Sequence, residues 1–166
     1  MTHFLLPFFY WLQNSPLGHF VSSSSWVYTI GLMFHFTGMA MLFGAMLVVD
    51  LRLLGVTKRI PLPVALAFLP IAIAGFIINL VTGVVFFAFD PLSFWNNIAF
   101  KVKLVLLLVA GANALWFTFA EEPKLRTLPP YGDTPSVIKW TAGLSLAVWT
   151  LVIVCGRMIV GLAGLK

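Results

Sequence analysis

Apolar residues run almost without interruption through four stretches of the chain, from about Trp26 to Val49, Val64 to Phe89, Ile98 to Phe119 and Val137 to Leu165. Each is at least the about 20 residues a helix needs to cross a hydrocarbon core of roughly 30 Å. A membrane-barrel strand would be about half as long and would alternate apolar with polar positions. The pattern therefore predicts an all-α integral membrane bundle of four transmembrane helices, with residues 1–166 forming one membrane domain. Helix-ending and polar residues separate the stretches. Ser22 to Ser25 can cap the first helix. Asp50, Arg52, Lys58, Arg59, Pro61 and Pro63 mark the first loop, and Asp90, Pro91, Asn96 and Asn97 the second. Glu121 to Pro135 make the third and longest. The first segment, about residues 3–20, is interrupted by Pro7 and too short to span. Its Phe4, Leu5, Phe8, Phe9 and Trp11 suit an interfacial helix, and without a basic start it does not read as a cleaved signal peptide.

Composition sharpens this picture. The chain is 61% hydrophobic and 9% charged, where soluble domains carry about a quarter charged residues. A soluble fold of this size cannot hide so much apolar surface, so lipid is the surrounding partner. The net charge of +5 does not indicate nucleic-acid binding, because the cations are dispersed over short loops rather than gathered in a patch with aromatics. They read as topology signals. Arg52, Lys58, Arg59, Lys124, Arg126 and Lys139 lie on one side, against Lys101, Lys103 and Lys166 on the other. The excess places both termini outside. Trp26, Tyr28, Trp95, Trp116 and Trp140 fall near the expected interfaces. The lone Cys155 can make neither an intrachain disulfide nor a thiolate metal site, and reads as a small buried apolar residue.

Ionisable residues at membrane depth are costly, so each is a functional candidate. His35 lies in the outer half of the first spanning helix, Arg157 in the outer half of the fourth, and Lys101 and Lys103 at the start of the third. Successive helical residues turn by about 100°, so one lysine can face the bundle while the other reaches toward headgroups. No carboxylate shares their depth. A histidine among cations lacking an anion fits haem b, with imidazole on the iron and Lys101 and Arg157 on the propionates. Gly31, His35, Gly38 and Leu42 form one helix stripe. Its glycines leave room either for a flat cofactor beside His35 or, as is commoner in membrane helices, for a neighbouring helix. His19, folded over the outer mouth, or Met33, Met39 or Met158 could be a second axial ligand, and a five-coordinate haem is equally consistent. Asp50 opposes the dipole of the helix it ends, which predicts an ion pair with Arg52, Arg59 or Lys139. Asn79, Thr82 and Asn113 are expected to make interhelical hydrogen bonds. No nucleophile, carboxylate pair or phosphate loop is visible.

The stretch WVYTIGLMFHFTGMAMLFGAMLVVDLRLLG, from Trp26 to Gly55, resembles an uncharacterised family of small bacterial four-helix inner-membrane proteins with an H-x-x-G and DLRLLG signature. The likeness continues through Phe89 to Pro91, Asn97 to Lys103, Asn113, and Gly156 with Arg157. It implies a multi-pass protein of the bacterial inner membrane, where the outside indicated for both termini by the charge bias would be the periplasm. The layout is distantly similar to copper-resistance D-like and HemJ-like membrane proteins, the latter associated with haem; that likeness bears on His35 and, more loosely, on Lys101 and Arg157. Members of the resembled family often carry a histidine near the end of the third helix, where this chain has Phe117 and Thr118. Three functions follow as expectations. The first is a haem b protein in electron transfer, alone or as a subunit of a larger redox complex. The second is a non-catalytic assembly protein, such as a homo-oligomer built on the small-residue stripes. The third is an oligomeric transporter for a small solute or copper, using the methionines of the first helix.

Overall fold

A computed structural model describes residues 5–163, and among these the chain is helical, with no strand. Two short helices, α1 (Leu6–Gln13) and α2 (Pro16–Ser22), precede α3 (Ser25–Leu53). The next span is α4 (Leu62–Leu66) followed closely by α5 (Leu69–Phe89), and α6 (Pro91–Asn96) leads into α7 (Ile98–Trp116). A π-turn over Phe117–Glu121 and α8 (Glu122–Leu125) extend α7, and α9 (Ser136–Ala163) closes the chain. Four helical stretches, Ser25–Leu53, Leu62–Phe89, Ile98–Leu125 and Ser136–Ile159, are long and apolar enough to cross a membrane. The expected spans are all present, with α3 running four residues further and the third extended by its π-turn. The expected interfacial helix is two, broken at Asn14 and Ser15, where the Ser15 hydroxyl accepts from Gly18 N–H and caps α2. His3, Phe4, Leu165 and Lys166 lie outside the described residues.

The spans pair as α3 with α5 and α7 with α9, and α3 against α9 joins the pairs. Most large apolar side chains face outward, among them Ile30, Ile77, Leu108 and Trp140. This is expected where lipid, not water, surrounds the bundle. The interior therefore depends on close packing. Leu42 and Ala45 of α3, Ala72 of α5, Ala110 of α7 and Val148, Trp149 and Val152 of α9 form one buried cluster. Val49, Leu53, Leu62, Phe117, Leu125, Ile138 and Ala142 form a second toward the loop end. Between α3 and α5 the backbones almost touch: a Cβ on Gly75 would sit 2.6 Å from the Gly38 carbonyl oxygen and 2.6 Å from Leu42 N, closer than such atoms approach. Only glycine fits at either side of that crossing.

The loop end is locked by Arg52, which is fully buried. Its guanidinium donates to the Ile60 carbonyl and, through Nη2, to the carbonyls of Pro130 at 3.3 Å and Gly132 at 3.1 Å. Gly55, with φ +85°, turns the chain out of α3, and the Thr134 hydroxyl donates to the Leu53 carbonyl. The expected ion pair of Asp50 with Arg52, Arg59 or Lys139 does not form. Arg52 gives Nε and Nη2 to loop carbonyls while its Nη1 stays buried without a partner, and Lys139 pairs with Asp133 at 3.1 Å, as does Lys58 at 3.2 Å. Those two lysines hold the exposed Asp133 carboxylate below its usual range, chiefly through the Lys139 hydrogen bond and then that of Lys58. A carboxylate lowered by folding stabilises the fold above its unfolded value, and that contribution fades as pH falls below about 4. Asp133→Asn should remove a small, salt-sensitive part of the stability at pH 7 and none at strongly acidic pH, in unfolding measured at both pH values and two salt concentrations.

At the opposite end, α1 lies over the bundle. Phe9 is buried against Phe87 of α5 and Trp95 of α6, with ring centroids 5.9 and 5.6 Å away. Phe87 stacks on Phe100 of α7 at 5.4 Å. These rings tie α1, α5, α6 and α7 into an aromatic cover at the N-terminal end.

Candidate functional site

Between this cover and the apolar core lies a different interior. Among the described residues, neither buried cluster extends past Leu42, Phe76, Leu106 and Val152. Beyond that level the bundle holds His35 of α3, Asn79 and Thr82 of α5, Lys103 of α7 and Cys155 of α9. Each of the four spans contributes.

His35 is half-buried, with its ring 5.5 Å from that of Phe86. Its Nδ1 lies 2.7 Å from Thr82 Oγ1. The Thr82 hydroxyl lies 2.7 Å from the carbonyl oxygen of Ile78, one turn back on α5, and donates to it. Where the Thr82 hydroxyl gives its one proton to Ile78 it accepts from His35, so that Nδ1 carries the imidazole proton and Nε2 presents its lone pair. A histidine whose Nδ1–H is anchored and whose Nε2 is left as an acceptor is the arrangement found at imidazole metal ligands.

The cations are placed differently from the sequence-based expectation. Lys101 is exposed, and its ammonium lies 5.5 Å from the Trp95 ring centroid. Arg157 is also exposed and has no ion pair among the described residues. Lys103, two residues along α7, is half-buried instead. Lys103 approaches α9 beside Cys155, and its Nζ is 3.6 Å from where a Cβ of Gly156 would be. It has no ion pair among the described residues. Spacing shows that one of the two lysines faces inward. Lys103 is that one, and its ammonium lies against α9 at Gly156.

Gly38 does not make room for a cofactor. A Cβ there would meet Asn79 Nδ2 at 2.7 Å, Ile78 Cγ2 at 2.8 Å and the Gly75 carbonyl at 2.9 Å, so α5 fills the stripe. At Gly31 the neighbour is the Phe86 ring, 3.2 Å from an added Cβ. His19 is exposed on α2 and lines a polar groove of about 390 Å³ with Gln13, Asn14, Ser22 and Asp90. Met33 and Met158 are exposed and Met39 is half-buried. The methionines of α3 are divided between the outer surface and the core, where Met46 packs. Asn113 makes the expected interhelical bond, to the Thr141 carbonyl. Asn79 bonds back to Gly75 of its own helix instead. Among the described residues no three or more His, Cys, Asp or Glu side chains form a group that could hold a metal ion without another donor. Cys155 is buried and free.

Thr82 is the residue that the sequence reading missed in this role. Its polarity at depth is a signal, but its partner depends on how α3 and α5 cross.

Residues 8–163 match a family of unknown function, DUF6644, and the chain belongs to it. No curated protein and no solved structure matches the chain.

Proposed function

We propose that this member of the DUF6644 family is a bacterial inner-membrane haem b protein working in electron transfer, with His35 Nε2 as axial ligand. The observation that carries the reading is the His35 ring held at Nδ1, 2.7 Å from the Thr82 hydroxyl, with no hydrogen bond to Nε2 among the described residues. Two features of the chain fit the group. The unpaired ammonium of Lys103 matches a propionate in place of Lys101 and Arg157. The larger apolar cluster ends near the level of His35, beyond which buried apolar residues such as Phe86 and Cys155 stand outside it. The glycine stripe does not serve, since α5 and Phe86 fill it. Haem supplies one-electron transfer when bound. The chain's own part is to orient the imidazole through Thr82, place a positive charge through Lys103, and cover the end with Phe9, Phe87 and Phe100.

No second histidine lies in a spanning helix, so the reading takes a single protein ligand. The excess of Lys and Arg at the Arg52 end supports that end as cytoplasmic and both termini as periplasmic.

Absorption spectroscopy tests the proposal. Protein purified from haem-replete cells should show a Soret band that His35→Ala abolishes. Thr82→Val should retain the band but weaken haem retention about tenfold, as loss of a ligand-orienting partner does. Absence of the band in the wild-type protein, or a band unchanged by His35→Ala, ends the reading and leaves a helical membrane scaffold.

A further inference from the structure

The loop half of the bundle holds a second polar centre that His35 does not use. Asp50 of α3 and Glu121 of the π-turn are each 2% exposed. Asp50 Oδ2 and Glu121 Oε2 are fully buried without a hydrogen-bond partner, and so is the Ser145 hydroxyl of α9. Ser145 reaches Asp50 without a hydrogen bond of good geometry. The other Glu121 oxygen accepts from Trp116 Nε1 at 3.1 Å and from the Thr141 hydroxyl at 2.8 Å. Thr141 and Ser145 stand one turn apart on one face of α9. The two carboxylates thus flank neighbouring positions of the same helix.

Among the described residues no cation lies within ion-pair distance of either carboxylate. Arg52 gives Nε and Nη2 to the carbonyls of Ile60, Pro130 and Gly132 and keeps a buried Nη1 without a partner, and Lys139 turns to Asp133. The setting adds negative potential, because Asp50 is in the last turn of α3 and Glu121 ends the π-turn that completes α7. A π-turn shifts the helical register and is frequent at functional sites; here Glu121 ends buried while Thr118 and Phe119 remain exposed. Buried carboxylate oxygens with no donor are costly unless a positive charge joins them.

We propose that Asp50 and Ser145, with Glu121 one helical turn away, form a binding site for a small hard cation of the sodium class. The donor set is all oxygen, with carboxylates and hydroxyls, which suits a hard cation rather than copper or zinc. Water completes its shell. This site is separate from His35 and stands whether or not haem is bound.

The test is thermal unfolding of the full-length protein in detergent, with NaCl exchanged for choline chloride at constant ionic strength. Sodium should raise the midpoint by several degrees in a saturable way. Asp50→Asn should abolish the shift. Ser145→Ala, a milder change, should raise the half-saturating sodium concentration about tenfold. His35→Ala should retain the full shift. Equal midpoints in sodium and choline, or a sodium shift that survives in both Asp50→Asn and Ser145→Ala, would overturn the proposal. So would a midpoint that follows pH alone, which would show that protons satisfy these oxygens.

Discussion

Gly75→Leu should prevent α3 and α5 from docking, and even Gly75→Ala should be measurably destabilising. The first added atom would lie 2.6 Å from two backbone atoms of α3 and 3.0 Å from the Met41 side chain. A clash with a flexible side-chain tip can relax by rotation, but backbone on backbone cannot, so the helices must separate along their length. That separation would open the contact around Leu42 and Ala72. In lipid no hydrophobic force pulls the helices back together, and lost packing is lost stability. Overpacking a close-packed interior costs about 1–3 kcal/mol and occasionally more; with backbone as the obstacle, the expected loss for leucine is about 3 kcal/mol or above. Gly44 and Gly83 provide the control, since nothing lies within 4 Å of an added Cβ at either. Gly44→Leu should leave the protomer's stability unchanged. Denaturant unfolding of the three variants in micelles separates the cases. Equal stability of Gly75→Leu and Gly44→Leu would mean that the glycine crossing is not a close contact.

How far the chain announces this architecture depends on what each residue answers to. The four spans were legible because every backbone polar group in lipid must be satisfied within its own helix, which leaves a long apolar run few alternatives. Boundaries were less so. The break between α4 and α5 and the π-turn before α8 fall just before Pro70 and Pro123, whose missing N–H groups and ring clashes an apolar run does not show but the prolines themselves record. The depth of His35 could be read from its place in the run. Which of Lys101 and Lys103 turns inward could not, since it depends on how α7 packs against α9. Gly38 was legible as a close-approach position, but the approaching body is the matching Gly75, 37 residues on. Asp50 was expected to pair with a cation because it opposes the dipole of the helix it ends. The structure sends Arg52 to loop carbonyls and Lys139 to Asp133, a choice set by the fold of residues 129–134 rather than by any periodicity.

The same reasoning makes Arg52 the most consequential single residue at the loop end. Arg52→Ala should cost about 3–5 kcal/mol, the range for removing a buried, multiply hydrogen-bonded charged side chain. Three carbonyls, at Ile60, Pro130 and Gly132, lose a charged donor together. They belong to two loops far apart in sequence, so the change would uncouple the α3–α4 connection from the α8–α9 connection. The Leu62 N–H to Pro130 carbonyl bond, 2.7 Å long, would then be the main remaining backbone tie between them. Arg52→Lys should not rescue the variant, because a single ammonium cannot reproduce a planar fork reaching carbonyls on two loops. Limited proteolysis should cut both variants within residues 126–135 well before the wild-type protein, with the spanning helices still protected. If Arg52→Lys resists protease as the wild type does, a simple positive charge suffices and the guanidinium clamp is not what closes this end. Because His35 lies in the other half of the bundle, its spectrum should survive either substitution in protein that remains folded, so loop closure and ligand binding can be scored separately.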